Sequence, residues 1–272
     1  MKSSPKRQLK INKLRHKDLV LSRQTMINMF SHSPDPYMTV LYYMEITRLK
    51  AYLHELREST GKRITLTHMM NKIIALIIDE NRVFNRVVLD NNIYELEEIH
   101  ITNTFMLPGV GNTLTTFIVE NPHEKSLGQL VDDFDFLKKQ KRKEHKENPR
   151  DYLNFLSRVY GRTKLYKLIS EKRAFKIVYQ RGINSNIGIS NVGYGGTADF
   201  IIVKPVIFFL RTILRVSVHG SIKTPMLDHG KFITKEMIPL TVSADHRIVD
   251  GYHLHLFGSS LNRITSEPEK YL

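Results

Sequence analysis

The pattern of apolar and polar positions divides the chain into strand-like and helix-like stretches. MTVLYYMEIT reads as a buried strand. After it, RLKAYLHELRES, from Arg48 to Ser59, places Leu49, Leu53 and Leu56 at spacings of four and three, the period of a helix. THMMNKIIALIIDEN, opened by Thr65 or Thr67 as N-cap, is apolar on several faces and predicts a central helix ending at Asn81. Residues 86 to 120 read as strands broken at LPGVGN, where Pro108, Gly109 and Gly111 supply turn geometry. SLGQLVDDFDFLKK sets Leu127, Leu130, Val131, Phe134 and Leu137 on one helical face. KKQKRKEHKENPR is either its solvated continuation or a linker that ends near Asn148 and Pro149.

Residues 151 to 175 predict one or two basic amphipathic helices with a break near Gly161, either a surface pair or a face that docks a membrane or a partner. The pattern then turns to β through SNIGISNVG, DFIIVKPVIFFLRTILRVSVHG, a polar turn around Asp228 to Lys231, and MIPLTVSA. The helix YHLHLFGSSLNRI closes the chain. No internal repeat interrupts this order, so a single mixed α/β domain is expected.

Composition then narrows the chemistry. With 272 residues, 41% of them hydrophobic, the chain can bury a sizeable core. It has no cysteine, which excludes a thiol nucleophile, a disulfide framework and a thiolate metal site. The basic N-terminus lacks the apolar core of a secretory signal. The longest apolar run, Ile201 to Leu214, is interrupted by Lys204, Pro205 and Arg211 and is too short to cross a bilayer as a helix. A cytoplasmic protein without a membrane anchor is therefore expected. The formal charge of +14, from 41 Lys and Arg against 27 Asp and Glu, favours polyanions, phosphorylated cofactors, anionic membrane surfaces or acidic proteins as partners. No zinc-finger or aromatic-basic RNA signature is present, which disfavours nucleic acid.

The chemistry concentrates in SADHRIVDGYH, residues 243 to 253. His246-x-x-x-Asp250-Gly251 follows a strand and precedes a helix, a place where a side chain emerges at the edge of a sheet. Imidazole there can take a proton from a thiol or hydroxyl. Asp250 is expected to pair with an arginine and hold the loop, Asp245 to fix it, and Gly251 to allow a backbone conformation closed to other residues. His253 and His255, two positions apart, fall on different helical faces and read as structural, so no metal site is expected.

PLTVSADHRIVDG resembles the active-site signature of the catalytic domain of dihydrolipoyl acyltransferases, in which a strand, Asp-His-Arg, two apolar residues and Asp-Gly follow in order. GISNVGYGG, residues 188 to 196, resembles that family's Thr-Ile-Ser-Asn-Leu-Gly segment, and YYMEITRL, SHSPDPY and NRVFNRVV are similar to further family segments. Asp-Gly-Tyr-His is similar to the Asp-Gly-Phe-His of chloramphenicol acetyltransferase, which shares the fold. The resemblance implies an α/β, chloramphenicol acetyltransferase-like two-layer sandwich, a mixed sheet flanked by helices. It places a basic arm at residues 1–20, a catalytic domain at 21–272 and a helical insertion at about 140–175.

It also implies a homotrimer whose active site lies at a subunit boundary. His246 would be the general base, Ser190 the hydrogen-bond donor to the oxyanion, and Asp250 a structural residue paired with Arg23. Asn191 and Gly193 would lie against substrate. The acyl donor would be coenzyme A or the phosphopantetheine of an acyl carrier protein, an acidic partner, and the acceptor a thiol, hydroxyl or amine. The family's upstream lipoyl and subunit-binding domains have no counterpart in the sequence, which implies a freestanding enzyme. The single Pro205 of KPVIFFLRTI, and TTFIVE, depart from the family pattern where acceptor contacts would form. Two other readings are a non-catalytic trimeric scaffold and dihydrolipoyl acyl transfer with lipoyl domains supplied in trans.

Overall fold

The computed structural model describes residues 10–14, 36–107, 113–147, 171–180, 185–193, 201–203 and 212–272. Its main sheet contains β2 (Tyr37–Glu45), β5 (His100–Leu107), β6 (Thr113–Glu120), β7 (Ile187–Asn191), β8 (Leu214–Val218), β9 (Ile222–Asp228) and β10 (Lys231–Asp245). The order is β2-β10-β8-β7-β5-β6, with β9 paired to the first half of β10. The sheet is mixed: β7 runs parallel to both β5 and β8, and the other pairs are antiparallel. β10 is long enough to pair β9 along Lys231–Met237 and then β2 and β8 along its second half.

Strand alternation gives this sheet two unlike faces. Val40, Tyr42 and Met44 of β2 align with Val242, Leu240 and Ile238 of β10, and these continue through Val216 and Val218 to Ile189. This apolar face is covered by α1 (Thr47–Thr60), α2 (Leu66–Glu80), α3 (Leu127–Glu147) and α5 (Gly251–Ser266), and the contacts form one continuous core. The other face carries hydroxyls. Thr102, Ser217, Thr241 and Ser243 lie on it and are buried, and Thr39 and Ser243 share a 2.7 Å hydrogen bond.

α2 is buried almost all round, as the apolar run predicts, and starts at Thr65, whose backbone and side chain engage His68 Nδ1 in a capping box. It stops at Asn81. α3 continues through the basic run to Glu147, so KKQKRKEHKE is helix and not linker. The predicted helices of 151–170 lie outside the described residues. α4 (Glu171–Gln180) lays Phe175 and Tyr179 on a small sheet of order β1-β4-β3, made of Ile11–Lys13, Asn92–Leu96 and Arg86–Leu89. β1 lies within the stretch expected to be a basic arm, and pairs residue by residue with Leu96 to Tyr94. The short helix α6 (Pro268–Tyr271) ends the chain.

One prediction along the second half differs in detail. Residues 201–203 and 212–213 lack strand pairing, and β8 begins only at Leu214, so the apolar run there is not one strand. The polar turn is a two-residue hairpin loop: His229 (φ 46°) and Gly230 (φ 76°) are both left-handed, the geometry of a type I′ turn. No helix among the described residues is long and apolar enough to cross a membrane.

Candidate active site

His246 follows β10 directly, and its N–H is held 2.8 Å from the Pro36 carbonyl at the mouth of β2. Its Nδ1 lies 2.9 Å from the Val249 carbonyl. A carbonyl only accepts, so Nδ1 is the donor; in the neutral ring this leaves the lone pair on Nε2, the tautomer a general base needs. Val249 was not singled out in the sequence. Only the tight turn of residues 246–248 brings its carbonyl back to the ring.

The turn itself rests on a buried ion pair. The Arg247 guanidinium meets both Asp245 oxygens, with Nε at 2.9 and 3.2 Å, and the Arg247 N–H donates to Oδ1 at 3.0 Å. Asp245 is 2% and Arg247 0% exposed, so this pair works without solvent screening. Asp245 is thus tied to the arginine two positions on, within the turn.

Asp250 is the N-cap of α5. Its Oδ1 accepts from the His253 N–H at 3.2 Å and lies 2.7 Å from His253 Nδ1. Among the described residues Asp250 thus engages a histidine of its own helix; the expected pairing with Arg23 lies outside the described residues. The aspartate followed three positions later by a histidine was a legible capping signal. His253 is structural, as read from the sequence. The expectation for Gly251 is corrected: its φ is not left-handed, and a Cβ there would meet open space. It is simply the first residue of α5, where ordinary helical backbone suffices.

Ser190 is the penultimate residue of β7, on the hydroxyl-bearing face, beside Thr104 of β5 and Ser217 of β8. It is half-buried. The next residue, Asn191, is engaged at both polar ends: its amide donates to Thr67 Oγ1 at 2.9 Å, and its carbonyl oxygen accepts from the Gly193 N–H at 3.1 Å. Gly193 packs so tightly on the His219–Gly220 backbone that a Cβ would sit 2.8 Å from it. Both residues expected to line substrate thus have roles inside the chain, anchoring the end of β7 to the start of α2 and the end of β8. Thr67 has no signal of its own in the sequence. Burial pushes the His219 pKa down, so that ring, whose Nε2 lies 3.2 Å from Thr241 Oγ1, is neutral.

One chain does not bring Ser190 and His246 together. Ser190 aligns with Ser217, which aligns with Thr241, five residues before His246. At about 3.3 Å per residue along β10 and about 4.8 Å between strands, the two side chains start roughly 15–20 Å apart, at opposite ends of the sheet. Among the described residues no cluster of His, Asp or Glu could hold a metal ion.

Sheet order, flanking helices and these two sheet ends define an acyltransferase fold of the chloramphenicol acetyltransferase type. Residues 13–154 and 162–272 match the 2-oxoacid dehydrogenases acyltransferase (catalytic domain) family, and the chain belongs to it. It is an acyltransferase catalytic domain. The fold is similar to that of dihydrolipoamide acetyltransferase from Azotobacter vinelandii, at 19% identity and TM-score 0.64 over 96% of this chain and 94% of that one. It is also similar to the cubic core of the pyruvate dehydrogenase multienzyme complex (18%, TM-score 0.65, 96% and 94%). Chloramphenicol acetyltransferase matches at 12% identity and TM-score 0.56 over 94% of this chain and 100% of that one.

Proposed function

We propose that this protein transfers an acyl group from a thioester to a thiol, hydroxyl or amine by direct attack, in a site assembled between copies of the chain. The observation that carries this reading is the placement of His246 and Ser190. His246 is held by the turn that follows β10 and Ser190 lies within β7, yet they stand at opposite ends of one sheet. A site that needs both is completed by the His246 end of one protomer meeting the Ser190 end of the next, as in a cyclic trimer. Apolar side chains suited to such contact are exposed on this sheet: Leu41 and Tyr43 on its edge strand, and Phe232, 85% exposed, on the β9–β10 hairpin.

His246 Nε2 removes the acceptor's proton as the acceptor attacks the thioester carbonyl. The oxyanion of the tetrahedral intermediate takes a hydrogen bond from the Ser190 hydroxyl, an interaction of the kind typically worth about 3 kcal/mol of barrier. Collapse expels the donor's thiolate, which receives the proton back from the imidazolium. Mechanistic work on the Azotobacter protein centres on a serine, a histidine and an asparagine four residues beyond the histidine. Here Asp250 stands four residues after His246, where it caps α5 and keeps the turn closed. The donor is coenzyme A, whose phosphates suit the net charge of +14, or a carrier protein's phosphopantetheine.

The test is thiol release from acetyl-coenzyme A and related thioesters across a panel of acceptors. Substituting His246 by Ala should lower kcat by about 10²–10⁴-fold, the usual share of a general base. Equal rates for wild type and variant across the panel would overturn the reading.

A further inference from the structure

The hydroxyl-bearing face of the main sheet holds a charged group that the acyl-transfer reading leaves without a use. Arg215, on β8, lies between Gly188 of β7 and Ser243 of β10. Gly188 has no side chain to fill the space beside it, and Ser243 is taken up by Thr39. The Arg215 side chain is held elsewhere, at two points. Its Nε donates to Thr212 Oγ1 at 2.8 Å, and its guanidinium carbon lies 4.0 Å from the centroid of the Tyr37 ring. The Tyr37 hydroxyl in turn donates to the Thr212 carbonyl at 2.6 Å, which ties ring, threonine and guanidinium together.

This group stands at the His246 end of the sheet. Tyr37 pairs with Asp245 across β2 and β10, and the Asp245 N–H donates to the Ile213 carbonyl at 2.9 Å. Thr212, one residue before Ile213, is therefore level with His246, one residue after Asp245. Arg247 lies close by. Burial pushes the Tyr37 pKa up, Arg215 and Arg247 lower it and Asp245 raises it, so both guanidiniums stand within charge reach of one neutral phenol.

The carboxylates of this region are occupied. Both Asp245 oxygens meet Arg247. Glu171, whose charge also reaches Arg247, accepts from the Asp90 N–H at 2.8 Å at the start of α4. Half-buried Arg215 has no carboxylate partner among the described residues, and its two Nη groups make no hydrogen bond there. Arg247 Nη1 is a second guanidinium nitrogen that is buried without an acceptor. A guanidinium that is stacked, anchored through Nε and left with its fork open is preorganised for a planar oxyanion. One positive charge with two parallel N–H groups fits a carboxylate carrying one negative charge.

We propose that Arg215 binds the carboxylate of the acceptor, and hence that the acceptor is a small mercapto, hydroxy or amino acid. With its carboxylate on the Arg215 fork, the acceptor presents its thiol, hydroxyl or amine to His246 at the same end of the sheet. The inference rests on the acyl-transfer reading and adds to it the chemical class of the acceptor. The probes are mercaptoacetate, glycolate and glycine with their three- and four-carbon homologues, each set against its amide. The full-length protein is titrated with every member by calorimetry without an acyl donor, and coenzyme A release from acetyl-coenzyme A is then followed with the same pairs.

At least one carboxylate should bind saturably and about ten-fold or more tighter than its amide, with the same preference in kcat/KM. Arg215→Gln should abolish that preference, and Arg215→Lys, which keeps the charge and loses the fork, should retain part of it. Arg215→Gln should not lower Tm, since the cation it removes has no ionic partner in the fold. No carboxylate preferred over its amide, or a preference that survives Arg215→Gln, would overturn the assignment. So would a preference located on the donor, read as succinyl- over acetyl-coenzyme A with the amides as acceptors. A lower Tm or a loss of assembled mass in Arg215→Gln would make the residue an ion-pair partner within the assembly and overturn it equally. Carboxylate binding through Arg215 without any transfer would count against the acyl-transfer reading alone. Transfer that depends on His246 and ignores the carboxylate would count against this inference alone.

Discussion

If His246 and Ser190 act across a boundary between protomers, two inactive variants should rescue one another. His246→Ala keeps the serine and Ser190→Ala keeps the histidine. Within one chain the two residues are separated by five residues of β10 and two strand spacings, roughly 15–20 Å, which no rotamer change can close. An active pairing therefore needs the histidine of a Ser190→Ala protomer next to the serine of a His246→Ala protomer. In a trimer assembled at random from equal amounts, each boundary has this composition with a chance of one half times one half, about one quarter. The variants are co-expressed with different affinity tags, purified through both tags so that every particle is mixed, and assayed for thiol release. A trimer holding both variants has one such boundary in three, so the selected particles should show about a third of wild-type sites, against about 10²–10⁴-fold loss for either variant alone. Mixed particles, shown as such by native mass spectrometry, that stay as inactive as the parents would refute the shared site.

Other consequences follow from burial. Asp245→Ala leaves the Arg247 guanidinium uncompensated in the core, which costs about 3–5 kcal/mol, and thermal denaturation should show a fall in Tm of about 6–20 °C. Replacing both residues by apolar ones should recover much of that stability, and a double variant as unstable as the single would contradict the pairing. Gly193→Ala forces a Cβ against the His219–Gly220 backbone and should cost about 1–3 kcal/mol in urea unfolding, whereas Gly251→Ala, facing open space, should be near neutral. Burial, with Lys138 adding to it, lowers the His68 pKa to about 4. The unfolded chain then binds the extra proton first, so stability present above about pH 6.5 is lost as pH falls toward 4, by roughly 3 kcal/mol. His68→Gln should flatten that part of the pH dependence of urea unfolding. An unchanged slope would show that His68 is not the group responsible.

Periodicity and capping chemistry determined much of this protein by themselves. Thr65 and Asn81 bracket α2 because a cap must satisfy orphan backbone groups, and the run between them can only be buried. The crowding of SADHRIVDGYH and the GISN strand were visible as residue types in order, because the backbone chemistry of a strand end followed by a helix start is local. The turn at Asp228 to Lys231 was legible for the same reason.

What the chain could not show one-dimensionally is who meets whom. That Asp245 takes Arg247 and that the Val249 carbonyl meets the His246 ring are outcomes of turn geometry, which no propensity shows. Asn191 and Gly193 lie beside a serine in sequence, but only packing against Thr67 and the end of β8 shows that they hold the strand end in place. Above all, strand order decides that the two residues of greatest chemical interest stand at opposite ends of a sheet. The sequence places them 56 positions apart; only the register of three hydrogen-bonded strands turns that into a distance that a single chain cannot span.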